Sequence, residues 1–460
     1  MTDRRETTVE RLAEFVATLR AEALPAAVLE QARRRLLDTM GAMVAGARTA
    51  EGRAVRALVA DCGAEGQVPA GWLPIRTSMP MAALAGCASA RCTEIDDIHL
   101  ESCTTPGAVV VPTALAVASS RRDVDASSLL AAIVAGYEVV IRWGKAVDGP
   151  SILYQGIWPT YLGSGVGACA TAARLLGLST EETAQALATA VMLATGATGR
   201  SDAIAARWLA IGCAVQNGVI AAMAARRGFR ADVTFLDGRW SEATRIPLRS
   251  STLIAGLGAA YEIERVSVKP YCSAKQAISS VEGFLQILEE ESLDVGSIQR
   301  VVVGVPAQYV QLIGQPGLPR DRLSSITSVR YQLALAAYDR DGLLDVARTR
   351  LHDEDRFRAF MDKVVVEPAE DLQLYYPTAW PARVDVYTPS GRVRRIVRHT
   401  RGDETAPFGW GELEGKFRRL IRGSLDAVSA DRLIAACTGL GTGISVQEFL
   451  TVAIASDPAR

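Results

Sequence analysis

Histidine is scarce in this chain, whose 460 residues carry three: His99, His352 and His399. Imidazole-based catalysis or metal binding therefore has few places to occur, and His99 stands within a dense acidic run, in "EIDDIHLESCTTPGAVVVP". Lysine is nearly as rare, at positions Lys145, Lys269, Lys275, Lys363 and Lys416, in a chain that otherwise uses arginine for positive charge. The eight cysteines form no C-x-x-C pair and lie mostly in apolar helical surroundings, so neither a zinc site nor an iron–sulfur cluster is signalled and reduced thiols are expected. An excess of one charge is missing too. The net charge is −1, with 50 basic and 51 acidic residues interspersed. This excludes a basic face for nucleic acid and a polybasic membrane anchor. No apolar run reaches the roughly 18 to 20 residues expected of a membrane span. The opening "MTDRRETTVERLAEF" also lacks the apolar core of a signal peptide, so a cytoplasmic protein without membrane or nucleic-acid partners is expected.

What is present is helical texture. Apolar residues make up 49% and aromatics 6%, and Ala- and Leu-rich segments fill the first 265 positions. Val9, Leu12, Phe15, Val16 and Leu19 share a helical face behind a Thr7/Thr8 cap. A second helix opens at Pro25, and another breaks at Gly177 and restarts at the capping box Ser179-x-x-Glu182. Near residue 263 the pattern changes to β-branched segments, "IERVSVKPYC", "IQRVVVGVP", "KVVVEP", "ARVDVYTP" and "RVRRIVRHT", the last two flanking the turn "TPSG". Helical pattern returns in "GELEGKFRRLIRG". The expected fold is mainly α: a large all-helical domain from residues 1–262 and 405–460, discontinuous, plus a smaller α+β lid domain at 263–404.

Several motifs in order resemble the MmgE/PrpD family, which includes 2-methylcitrate dehydratases, cis-aconitate decarboxylases and iminodisuccinate epimerases. They are "LLDTMG", "EIDDIH" followed by "TPGAVVVPTALAVA", "AGYEVVIRWG", "ARLLGLSTEETAQAL", "RWLAIGCAVQNGVIAAMAARRGF", "VKPYCSAKQAI", "SVRYQLALAAYDRDG" and "KFRRL". The resemblance implies a helical domain with a smaller lid, a homodimer, no cofactor and no metal, and an active site between the two domains. It also exposes departures. Thr105, Trp158 and Ala210 stand where relatives carry histidine, and Lys275 corresponds to a fourth. The acidic run Glu94, Asp96 and Asp97 remains, with Arg207, Lys269 and Tyr331.

The resemblance implies a lyase, a dehydratase of a β-hydroxy carboxylic acid related to 2-alkylcitrate or alkylmalate, working by proton abstraction next to a carboxylate. Decarboxylation, epimerisation and a non-catalytic scaffold role are alternatives. Asp96, Asp97, His99, Lys269, Lys275 and Tyr331 are the candidates for catalysis, and Glu94, Thr105, Trp158 and Arg207 for substrate binding. Each has a plainer reading. The acids can cap a helix, since carboxylates satisfy free amides there. The lysines can form salt bridges, and Tyr331 can fill the core. Lysine is singled out because it can exchange a proton near neutral pH, which arginine cannot. Arg207 offers a planar fork for a carboxylate, and Thr105 can position but not titrate. Trp158 and Ala210 point to a less polar pocket. "DDIHLE" also looks like the magnesium motif of terpene cyclases, but no second metal-binding run accompanies it.

Overall fold

The computed structural model describes residues 5–62, 66, 68–70, 73–194 and 206–455. The chain forms two compact units. One comprises Met1–Cys92, Asp96–Val266 and Gly409–Arg460, the other Thr93–Ile95 and Ser267–Phe408. The three residues Thr93–Ile95 thus leave the segment around them and join the second unit, where Lys269 Nζ donates to the Glu94 carbonyl at 3.0 Å and Cys272 Sγ to the Thr93 carbonyl at 3.0 Å.

The first unit is mainly helical, with a short antiparallel ribbon, Val68–Ala70 with Leu73–Thr77, and a two-residue strand, Ile98–His99, which qualify the all-helical expectation. Its first helix, Thr8–Thr18, carries a reciprocal Thr7/Glu10 capping box and buries Val9, Leu12 and Val16. The helix Pro159–Leu176 ends at Gly177, whose φ of 68° is a left-handed conformation that costs glycine little. Thr180–Leu193 then starts from the Ser179/Glu182 box. Small residues let the central helices approach closely. A Cβ on Gly136 of Ala126–Ala146 would lie 2.1 Å from Thr171 Oγ1, and one on Gly218 of Ala206–Ala225 would lie 2.1 Å from the Gly165 carbonyl.

One expectation needs correction: Ala126–Ala146 and Ala206–Ala225 are both long and apolar enough, by length and composition, to cross a membrane. A core helix passes the same test, and Ala126–Ala146 is packed against Gly107–Ser119 and Pro159–Leu176, with its apolar side chains buried. The late helix Trp410–Leu420 lies on Ala26–Gly46, where Phe417 covers Gly41 and Lys416 Nζ meets Asp38 Oδ1 at 2.6 Å.

The second unit holds a mixed four-stranded sheet in the order Val364–Pro368, Arg300–Val305, Ala382–Thr388, Gly391–Val397. The first pair is parallel and the others antiparallel, and Thr388 pairs with Gly391 across the hairpin turn. Helix Lys275–Glu290 crosses the sheet with Gly283 against Val384 and Val397. The strand expected over "IERVSVKPYC" shrinks to Val266–Ser267, preceded by a 3₁₀ turn at Glu262–Arg265. Proline at 270 has no N–H to give a ladder. The flanking amides bond elsewhere, Val268 to the Gly402 carbonyl and Cys272 to that of Leu343.

Candidate active-site groups

In the second unit two of the scarce lysines, Lys269 and Lys275, have found acids. Glu94 sits at φ 56°, a left-handed conformation that is unusual for a side chain of this size and often stored at functional sites. That twist turns both its carbonyl and its carboxylate toward Lys269, whose Nζ lies 3.5 Å from Glu94 Oε2. Both residues are buried, at 6% and 2% exposure, so the pair is an acid and an ammonium held together away from bulk water. Beside them, burial pushes the Cys272 thiol up, opposed by the charges of Arg322, Arg348 and Lys269 and reinforced by Glu94. The charges of Arg322 and Arg348 thus act on this thiol together with that of Lys269.

Arg348 also lies over the Tyr331 ring, 5.5 Å from its centroid. Tyr331 stands in the first turn of Val329–Tyr338, where Ser328 Oγ accepts its amide at 3.3 Å. Its phenol oxygen accepts the His352 N–H at 2.8 Å, which leaves the phenol hydrogen to be donated elsewhere. Burial raises the phenol's pKa and keeps that hydrogen in place. His352 in turn stacks on Phe357 with 4.3 Å between centroids, and meets Asp339 at 3.0 Å and Glu354 at 3.1 Å. Lys275 is placed differently. It opens the helix Lys275–Glu290, where a cation is disfavoured by the helix dipole, and its Nζ is held by Asp403 at 2.5 Å and Thr400 at 2.7 Å. Burial pushes the Asp403 carboxyl up, but the Lys275 charge and its hydrogen bonds win and hold it low. The arrangement pins the 400–403 turn.

In the first unit the rest of the acidic run disperses. Asp96 Oδ1 accepts from Arg91 at 3.0 Å, a buried ion pair at the end of Met79–Arg91, where a cation suits the helix dipole. Asp97 Oδ1 accepts the Gly107 N–H at 2.8 Å and Oδ2 the Tyr137 hydroxyl at 2.7 Å. His99 does not join either acid. Its Nδ1 accepts the Ser102 N–H at 3.2 Å, which places the ring proton on Nε2, 3.4 Å from Glu262 Oε2. Burial lowers the His99 pKa, so the ring is a neutral donor with its lone pair engaged. That geometry makes it an orienting group in a network where Lys145 meets Glu262 at 2.6 Å and Arg265 meets Glu101 at 2.6 Å.

The fold also joins two motifs that are 55 residues apart: the Thr105 N–H donates to Thr160 Oγ1 at 3.1 Å, bringing together the starts of Gly107–Ser119 and Pro159–Leu176. Trp158 immediately precedes the second of these helices. Its indole lies 4.8 Å from the Arg207 guanidinium and 5.4 Å from that of Arg91, and Trp208 lies 4.2 and 5.2 Å from the same two groups. Tyr161 meets Trp158 edge-on and donates to the Arg207 carbonyl at 2.6 Å. The half-buried Trp158 is thus already stacked by guanidinium groups, each such contact contributing about 0.5–2 kcal/mol. Ala210 lies one helical turn beyond Arg207. Arg91, Tyr137, Arg322 and Arg348 were not singled out by the sequence, and arginine is too common here to carry a signal. His352 was noticed there only as one of three histidines, with no role attached.

Against known proteins, the MmgE/PrpD N-terminal domain matches residues 10–246 and the MmgE/PrpD C-terminal domain residues 271–440. A cis-aconitate decarboxylase of Aspergillus terreus is 24% identical over 356 residues, 72% of this chain and 71% of that protein. The cis-aconitate decarboxylase-like protein oryM of Aspergillus oryzae is 22% identical over 466 residues, covering 96% of both chains. With both family domains spanning most of its length in order, the chain belongs to the MmgE/PrpD family.

Proposed function

We propose that this chain is a lyase that removes a proton next to a substrate carboxylate and expels a β-hydroxyl, without a cofactor. The observation that carries the reading is the buried Glu94–Lys269 pair, with Arg322 and Arg348 at hand and Tyr331 beside Arg348. Proton removal next to a carboxylate builds negative charge on that group, and pre-placed cations stabilise it best where water is excluded. In this reading Glu94 and Lys269 exchange the proton, Arg322 and Arg348 hold the charge that develops, and Tyr331 donates its phenol hydrogen to the departing hydroxyl. Arg207 anchors a carboxylate through its fork. The substrate is a β-hydroxy acid of the alkylcitrate or alkylmalate kind. Loss of CO₂ instead of water is the second reading, favoured by the names of the relatives.

Incubating the full chain with 2-alkylcitrates, alkyl-substituted malates and cis-aconitate separates the two. An ultraviolet-absorbing alkene with release of water supports dehydration, and CO₂ release from the unsaturated acid supports decarboxylation. Neither product, with small acids still bound, would sink the lyase reading. A second copy of the chain is inferred as the partner, as the family resemblance implies. It would cover the outer face of Ala206–Ala225, where Ile220 and Met223 are exposed.

A further inference from the structure

We propose that Asp97 is a positioning residue, which fixes the turn Thr105-Pro106-Gly107 and so aims the Thr105 hydroxyl, rather than a group that takes the substrate's proton. Both of its oxygens are engaged, Oδ1 by the first amide of the helix Gly107–Ser119 and Oδ2 by Tyr137. The residue is fully buried, so no face of the carboxylate is turned to solvent. The turn it holds is tight. A Cβ on Gly107 would lie 2.5 Å from Thr39 Oγ1 and 2.8 Å from each Asp97 oxygen, so the backbone rests directly on the carboxylate and on the "LLDTMG" motif.

From the held turn, the Thr105 amide reaches Thr160, and the Thr105 and Thr160 hydroxyls lie 3.4 Å apart. Asp97 thereby sets where two helix starts meet, next to Trp158. Arg35 supplies the opposing charge. Burial pushes the Asp97 carboxyl up, while Arg35, Tyr137 and Gly107 pull it back and Asp38 adds to the rise. An amide in place of the carboxylate keeps an acceptor for Gly107, and the Tyr137 hydroxyl can turn its hydrogen away from the amide NH₂. Asp38, one turn further along the helix Ala26–Gly46, remains as a counter-charge for Arg35, so a carboxylate needed only to hold the turn tolerates Asn, whereas one needed to take a proton does not.

The effect on turnover rests on the lyase reading, but the turn itself can be read without it. In the full chain, Asp97→Asn and Asp97→Ala are compared by amide hydrogen exchange over residues 105–110 and by kcat and KM for alkene formation. Asp97→Ala should speed exchange at Gly107 at least tenfold and cut kcat at least tenfold. Asp97→Asn should leave both within about threefold of the native chain. Should Asp97→Ala not fold, Asp97→Ser replaces it, since its shorter side chain cannot reach the Gly107 amide. A kcat lost in Asp97→Asn while exchange stays native would overturn the proposal and make Asp97 a proton carrier. Unchanged exchange in Asp97→Ala or Asp97→Ser would overturn it as well. A native chain that forms no alkene would fail the lyase reading alone, with the exchange result still deciding the role of Asp97.

Discussion

Arg207 and Glu138 show how differently two charged side chains can be used within one unit. Arg207 is half-buried and stacked against Trp158 and Trp208, so its guanidinium is held in place by the two indoles. Removing it should weaken substrate binding more than chemistry: Arg207→Ala is expected to raise KM by roughly 10- to 100-fold with kcat changed less than about threefold, read from saturation curves. Glu138 is buried, accepts from Arg142 Nε at 2.9 Å and takes the Glu262 N–H at 2.6 Å. Burial pushes its carboxyl up to about 7 against the pull of Arg142. An unfolded glutamate titrates near 4.3. Between these values the folded chain binds the extra proton, so stability from this group falls as pH rises from about 4.5 to 7. Glu262 works the other way. Burial pushes it up, but His99 and Lys145 prevail and hold it at about 2, so its contribution is present above about 4.5 and lost as pH falls toward 2. Urea unfolding at stepped pH should show native stability dropping relative to Glu138→Gln by up to about 3 kcal/mol between pH 4.5 and 7. A difference that stays constant across that window would show that Glu138 does not titrate there.

At the scale of elements, glycines decide how the helices pack. Alanine is normally the better helix former by about 1 kcal/mol. At Gly218, however, a Cβ would run into the Gly165 carbonyl at 2.1 Å, and backbone cannot step aside as a side chain can. Gly218→Ala should therefore destabilise by about 1–3 kcal/mol in chemical unfolding, as overpacking does. A stabilised variant would mean that the two helices are free to separate. Most elements were legible because their signals are local: the Thr7/Glu10 and Ser179/Glu182 boxes, the Gly177 stop, and the valine runs that became Arg300–Val305 and Val364–Pro368. The ribbon of Val68–Ala70 and Leu73–Thr77 was not, since three residues containing a proline give no period to read. The site was half legible. Scarcity singled out Lys269, but spacing in sequence cannot tell that Glu94 turns toward Lys269 while Asp96 and Asp97, two and three residues later, turn to Arg91 and Gly107. Those choices are made by a left-handed φ at Glu94 and by partners far along the chain.

For the whole molecule, the apolar surface left on Ala206–Ala225 leads to an expected assembly. Ile220 is 42% and Met223 41% exposed on that helix. Light scattering on the eluting protein should give twice the 49.0 kDa chain mass, and Met223→Glu should shift the population toward the single chain. A native protein that elutes as one chain at micromolar concentration would contradict a covering second copy. The central claim is that the buried Glu94–Lys269 pair moves the substrate's proton, and one measurement addresses it most directly: kcat for alkene formation by Lys269→Arg at saturating substrate. Arginine keeps the charge and can still pair with Glu94, but does not give up a proton near neutral pH. The account predicts a kcat lower by a factor on the order of 10² to 10⁴, with KM changed less than about threefold. Native kcat in Lys269→Arg would contradict it and leave Lys269 with the charge of a salt bridge alone.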